Sequence, residues 1–388
     1  MKNIVVKFGG TSVGSSDNIK KVKDIINTDH NIKAIIVSAP GKSEKFPMKV
    51  TDALILAHEE KDKYLEYMNY VKTVFQTIIN DIGIYFPLDH EFQKIYKLYD
   101  KNKSRSYLVS RGEYLSAKIL SKYLSIKFID SKDLIRFSKS GKILQKTYKN
   151  IQNAVNNNEK CIIPGFYGAT RFGKIKIMCR GGSDITGSIV ARALTNCEYV
   201  NYTDVDGLYK IHPQISSSNE IIKKINYEDM QFLSYYGANV FHYKCCSIFN
   251  NGKSFIKNTL NPNSRGTKIL QNKRKYCNFA LTTTQGVQIV FNEKNRKVIK
   301  LLKKLKHEKL YSFSRMGDMF YGFRLIAHEY RDVDLIKIKK EVWDCVDILV
   351  YSVIGNIDKA IPLLKNEKKD CLIYFSDNLK TNLVYKLF

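Results

Sequence analysis

The chain reads as an α/β protein: an αβα sandwich around a mostly parallel sheet, followed by a smaller α+β domain. Three observations predict this. Apolar strand-like runs alternate with amphipathic helix-like stretches through residues 1–272, the rhythm of βαβ units that bury a parallel sheet between helices. At 388 residues the chain exceeds what one core organises, since cores stop growing at about 250–300 residues. Near 261–278, "NPNSRGTKILQNKRKYCN", the texture turns polar and basic, as in a linker. The expected domains are therefore 1–272 and 279–388.

The elements follow in order. "NIVVKF" is an apolar strand, "SDNIKKVKDIINT" an amphipathic helix and "KAIIVSAP" a second strand. Residues 53–100 carry apolar side chains at spacings of three and four and read as helical. "EYLSAKILSKYL" is a further helix, and "KFID", "CIIPGFYG", "KIKIMC" and "YVNYTDV" are strands. Beyond the linker, "TTTQGVQIVF", "LYSFSR", "MFYGFRLIA", "VDILVYSV", "CLIYFS" and "NLVYKLF" read as strands. Helices are expected at 293–308, near 335–341 and at 356–366. The first of these is basic and amphipathic, and it reads as packing an apolar face (Val298, Leu301, Leu302, Leu305) onto a sheet.

Composition narrows the function classes. Hydrophobic residues make up 44% and charged residues 26%, a globular balance. No run reaches the ~18 apolar residues of a membrane span, and the N-terminus enters a strand without an apolar leader, so a cytoplasmic protein is expected. None of the eight cysteines forms a CxxC pair; reduced thiols are expected, with no metal held by the protein. The net charge of +27 is spread evenly: residues 251–388 carry 27 basic and 13 acidic side chains, the remainder 37 and 24. Without interleaved aromatic and basic motifs this argues against nucleic-acid binding, while a basic surface favours small anionic substrates.

Five segments have the character of site loops. In "KFGGTS" the lysine precedes the glycines, whereas in a Walker-type loop it follows them. Gly9 and Gly10 let backbone N–H groups approach an anion, a helix beginning within 12–17 points its positive end inward, and Lys7 adds a point charge. In "MCRGGSDITGS", Arg180 and Asp184 flank a Gly-Gly-Ser turn; a guanidinium suits a carboxylate, and an aspartate can orient a lysine. Glu113 opens a helix in "SRGEYLSA", where a carboxylate is an ordinary first-turn residue. Ser38 and Thr51 lie in "SAPGK…KVTDALI", and Thr203, Asp204 and Tyr209 in "NYTDVDGLYK". His242 in "NVFH" reads as structural.

These motifs resemble aspartokinases of the amino-acid kinase superfamily. "VVKFGGTSVGSS", "SAPGK" with "KVTDALI", "SRGEYLSAKILSKYL", "IIPGFYGAT", "RGGSDITGSIVARAL", "TDVDGLY", "LSYYGANVFH" and "IKNTLNPNSRGT" occur in that family's order over residues 1–270. The resemblance implies transfer of the γ-phosphoryl of ATP, with Mg2+ carried by the nucleotide, to the β-carboxylate of L-aspartate. It implies that Lys7 contacts the moving phosphoryl group, Gly9, Gly10 and Thr11 cradle phosphate, and Asp184 organises the lysine. Glu113 would take the substrate amino group and Arg180 its α-carboxylate, with Ser38, Thr51 and Ser183 around them; Thr203, Asp204 and Tyr209 would line the adenosine.

The chain also departs from that pattern. His212-Pro213-Gln214 stands where the family has Asp-Pro-Arg, and Asn239 where it often has lysine. Losing a charged hydrogen bond costs ~1–3 kcal/mol, so weakened ATP binding is expected. The C-terminal order resembles paired ACT regulatory modules with the second truncated, through which relatives associate as homo-oligomers. The glycine-rich effector loops are missing, "SRMGDMFYG" being the nearest, which predicts lost feedback control. The competing expectation is a catalytically weakened regulatory subunit that retains the fold.

Overall fold

The computed structural model describes residues 2–217, 220–271, 276, 279–292, 314–316, 320–326, 344–355, 372–377 and 381–387. The chain divides into two compact units, one of residues 1–208, 223–231 and 240–274, the other of 209–222, 232–239 and 275–388.

The first unit opens with β1 (Asn3–Phe8), α1 (Ser16–Thr28) and β2 (Ile32–Val37), then α2 (Val50–Glu59), α3 (Tyr64–Asp81), α4 (Leu88–Asn102), α5 (Arg105–Val109) and α6 (Arg111–Leu124). It continues through β3 (Lys127–Phe128), α7 (Ser131–Leu134), β4 (Arg136–Phe137), α8 (Lys146–Asn156), β5 (Cys161–Pro164), β6 (Tyr167–Thr170), β7 (Ile175–Ile177) and α9 (Gly182–Ala193). β8 (Cys197–Thr203), β9 (Lys224–Asn226), α10 (Tyr227–Tyr235, of which residues from 232 on belong to the second unit), α11 (Tyr243–Ile248), β10 (Lys253–Asn258) and β11 (Thr267–Leu270) follow.

Eight strands form one sheet in the order β3-β5-β2-β1-β8-β10-β11-β9. Every pairing from β3 through β10 is parallel, and only the β10–β11 pair is antiparallel. β1 and β2 lie at the centre with nearly every side chain buried, the continuous apolar run that a sheet covered on both faces requires. α1 seals one side through Ile19, Val22, Ile25 and Ile26, and α3 adds Val71, Val74, Phe75 and Ile78 to the same core. Because the central strands run parallel, the ends of β1, β2, β5, β8 and β10 open on one edge. The ladder continues past those ends: Gly9 N–H donates to Tyr202, Ser38 N–H to Phe8, Gly165 N–H to Val37 and Thr259 N–H to Thr203.

Three local expectations change. The helical stretch at 53–100 is broken into α2, α3 and α4. Gly83 terminates α3 with φ of +70°, a left-handed stop that glycine makes without strain. "CIIPGFYG" splits into β5 and β6, because Phe166 takes φ of +74° and Ser183 of α9 crowds Gly165: a Cβ there would lie 2.5 Å from Ser183 Oγ. Part of the expected linker, Thr267–Leu270, is instead strand β11, which lies between β10 and the edge strand β9.

The second unit contains β12 (Phe279–Asn292), β13 (Ser314–Met316), β14 (Phe320–Ile326), β15 (Asp344–Gly355), β16 (Leu372–Asp377) and β17 (Thr381–Leu387). They form a wholly antiparallel sheet in the order β13-β14-β12-β15-β17-β16. Each of the six stretches expected as strands contains a described strand, "LYSFSR" only at Ser314 and Arg315, its other residues lying outside the described ones. The helices expected at 293–308, 335–341 and 356–366 lie outside the described residues.

Candidate active site

Lys7 leaves β1 one residue before its end, flanked in register by Ile36 of β2 and Asn201 of β8. Its Nζ lies 2.5 Å from Asp184 Oδ1 on the first turn of α9, and both residues are buried. Asp184 is fixed by its surroundings: its Oδ2 accepts the His242 backbone N–H at 3.1 Å, and its carbonyl accepts the Tyr199 hydroxyl at 3.2 Å. A pair so enclosed repays its desolvation only with such added hydrogen bonds. α9 can start here because Gly181 takes φ of +77° beside His242. The His242 side chain accepts the Lys244 N–H at the start of α11, and burial pushes its imidazole down to about 4.

The loop after β1 tightens into a single 3-10 turn, Thr11–Val13, before α1 begins at Ser16, four residues later than the earliest start expected. Gly10 crosses Gly41 at close range: the Gly41 N–H donates to the Gly10 carbonyl at 2.8 Å, and a Cβ on Gly10 would sit 2.9 Å from the Ala39 carbonyl. Thr11 and Thr203 both donate to Asp204, at 3.1 Å each, which ties the glycine loop to the end of β8. Ser12 and Thr259 share a buried hydrogen bond of 2.7 Å, tying the same loop to the end of β10.

Glu113, on the first turn of α6, is buried, and its Oε2 has no hydrogen-bond partner. Desolvation lifts its carboxyl to about 8, opposed by the N–H groups of Glu113 and Ala39 and by the Arg111 guanidinium. Glu113 is thus the first-turn residue expected, but a buried one. Ser183 is buried at the start of α9, and Ser38 and Thr51 are half-buried at the end of β2 and the start of α2. Arg180 does not pair with Asp184; its side chain is 87% exposed and reaches Asp52 Oδ1 of α2 at 3.3 Å.

The structure thus brings together Lys7, Gly9, Gly10, Thr11, Asp184, Thr203 and Asp204. Tyr209 belongs to the second unit, where it bridges to Ile221. So do His212, whose N–H donates to the Leu281 carbonyl, Gln214, whose N–H donates to His212 Nδ1, and exposed Asn239. Sequence reasoning missed Tyr199, Asn201 and Arg111. Asn201 is a lone amide in an apolar strand, and that was its signal; its Nδ2 donates to the Val240 carbonyl at 2.9 Å. Among the described residues, no group of three or more His, Cys, Asp or Glu is placed to hold a metal. No described helix is long and apolar enough to cross a membrane, and the described cysteines 161, 179, 197, 245 and 246 form no disulfide.

Comparison with known proteins places this geometry. The chain is 32% identical over 292 residues to aspartokinase 3 of Bacillus subtilis, covering 69% of this chain and 64% of that protein. It is 29% identical over 301 residues to a bifunctional aspartokinase/homoserine dehydrogenase of Buchnera aphidicola, covering 69% and 36%. The chain therefore spans less than two thirds of the length of either relative. Among solved structures it superposes on the aspartate kinase of Clostridium acetobutylicum with a TM-score of 0.74 and 28% identity, covering 99% of this chain and 95% of that one. Aspartokinase III of E. coli, solved with aspartate and ADP, shares the fold at a TM-score of 0.79 and 18% identity, with 99% and 96% covered. The model of the amino acid kinase family matches residues 2–258, and the chain belongs to that family.

Proposed function

We propose that the protein is an aspartate kinase, transferring the γ-phosphoryl group of ATP to the β-carboxylate of L-aspartate to give 4-phospho-L-aspartate. The observation that carries the reading is the buried Lys7–Asp184 pair at the mouth of the glycine loop. A carboxylate nucleophile needs no general base, so the work is alignment and charge neutralisation. The Lys7 ammonium meets the negative charge of the phosphoryl group in flight, while Asp184 keeps it aimed. Backbone N–H groups at Gly10 and Thr11 hold phosphate oxygens, while Gly9, whose own N–H is taken by the Tyr202 carbonyl, leaves room for the phosphate to approach; Thr203 and Asp204 face the nucleoside.

Glu113 offers its unpartnered oxygen to the substrate ammonium, and Arg180 exchanges Asp52 for the α-carboxylate, its exposure leaving it free to do so. Ser38, Thr51 and Ser183 complete the hydrogen bonds. Mg2+ carried by the nucleotide would neutralise part of the phosphate charge. Similarity to named aspartokinases, above 25% identity in sequence and in one structure, supports the same assignment. On this reading the protein acts in the cytoplasm, supplies lysine, threonine and methionine synthesis, and self-associates through an ACT-like C-terminal unit. Hydroxylamine trapping tests the substrate: an aspartyl hydroxamate should form with L-aspartate and ATP and not with L-glutamate, and equal yield from both would sink the assignment.

A further inference from the structure

Asn201 puts an amide in a strand that otherwise buries Cys197, Tyr199, Val200 and Tyr202. It is 1% exposed and lies in register with Lys7 of β1, and its Oδ1 has no hydrogen-bond partner among the described residues. An unpaired buried acceptor is a penalty that an apolar residue of the same shape avoids. The other half of the amide is committed, Nδ2 donating to the Val240 carbonyl at 2.9 Å.

Val240 begins a three-residue segment, 240–242, that runs into α11 and is gripped at each residue. The buried Phe241 ring lies against Tyr199, with centroids 5.9 Å apart. His242 donates its backbone N–H to Asp184 Oδ2 at 3.1 Å, and its ring stacks on Tyr243 at 4.6 Å. Tyr199 in turn donates its hydroxyl to the Asp184 carbonyl at 3.2 Å. Tyr199 and Asn201 stand two residues apart on β8 and so project from one face of the sheet. The contacts form a continuous path. Asn201 Nδ2 holds Val240, two residues of chain lead to His242, its N–H meets Asp184 Oδ2, and Asp184 Oδ1 lies 2.5 Å from Lys7 Nζ. The two ends of the path, Asn201 and Lys7, are neighbours across adjacent strands.

We propose that Asn201 is a positioning residue for the reaction: by holding Val240 it fixes where the His242 N–H meets Asp184, and so keeps the Asp184 carboxylate turned toward the Lys7 ammonium. The inference rests on the reading that the Lys7–Asp184 pair serves phosphoryl transfer. A carboxylate that loses one of its two anchors can rotate, and the ammonium it aims moves with it. A displacement of about 1 Å in such a group costs up to ~100-fold in rate. An interaction that counts only in the transition state lowers kcat and kcat/KM together and leaves KM alone.

Asn201→Leu, of similar volume, removes both halves of the amide. In the full chain its kcat should fall ~10–100-fold, with KM for L-aspartate and for ATP unchanged. Residue-resolved amide hydrogen exchange supplies a readout independent of activity: the His242 N–H should lose protection while the amides of β1 and β8 keep theirs. An unchanged kcat, a loss carried by KM, or protection lost equally across these amides overturns the proposal. If Asn201→Leu does not fold, Asn201→Asp decides by the same measurements, since it keeps the shape and exchanges the donor for an acceptor. The two levels fail separately. A parent protein without aspartate-dependent turnover refutes the reading of the Lys7–Asp184 pair, whereas parental protection at His242 in the variant refutes the hold of Asn201 on it.

Discussion

A carboxyl group sealed from water stays protonated until something answers its charge, and Glu113 is answered only in part. Its unpartnered oxygen and its elevation to about 8 from an ordinary 4.5 have a thermodynamic consequence. Between those pH values the folded chain holds a proton that the unfolded chain releases. Stability therefore falls as pH rises from about 4.5 to about 8, and the loss is complete above 8. Glu113→Gln should be more stable than the parent at pH 8.5, by ~1–3 kcal/mol, and indistinguishable below pH 4.5, while binding aspartate worse. Urea unfolding at both pH values checks this; a difference independent of pH would contradict it. At this scale the sequence was informative about identity and poor about environment. Lys7 and Asp184 were legible as a charge and its orienter, but the burial of Glu113 and the exposure of Arg180 depend on contacts across more than fifty residues.

The elements owe their arrangement to close backbone approaches that permit no side chain. Gly10 and Gly41 cross where a Cβ on either would meet backbone at 2.8–2.9 Å, so the loops after β1 and β2 share one wall of the site. Gly10→Ala must push them apart. We expect a loss of ~1–3 kcal/mol from overpacking and a raised KM for ATP as the phosphate-binding N–H groups separate, measured by thermal unfolding and steady-state kinetics. Unaltered values for both would show that the crossing is slack. The strands and their parallel order were legible because alternation of apolar runs and amphipathic stretches is strong. The break at Gly165–Phe166 was not, since it comes from Ser183 packing against Gly165, which no local pattern encodes. The strand at Thr267–Leu270 hid in a polar, basic stretch because it is only four residues long and buries just Thr267 and Ile269, too short an alternation to stand out.

At the scale of the whole molecule, the proposed reaction falls to the first unit and the question of control to the second. Six antiparallel strands stand where the sequence predicts them, and the missing glycine-rich effector loop was the basis for expecting lost feedback. Turnover should therefore be unchanged by millimolar lysine or threonine in a steady-state assay, and strong inhibition by either alone would refute this. The net charge of +27 was the most conspicuous sequence feature and the least diagnostic, since it is spread along the chain, whereas the site depends on a few buried charges. The central claim is that the Lys7–Asp184 pair drives phosphoryl transfer to aspartate, and phosphorus NMR of the reaction tests it most directly. An acyl-phosphate resonance should appear when the protein meets Mg-ATP and L-aspartate, and Lys7→Ala should abolish it while remaining folded. The same resonance at the parental rate in Lys7→Ala, or none from the parent protein, would contradict the account.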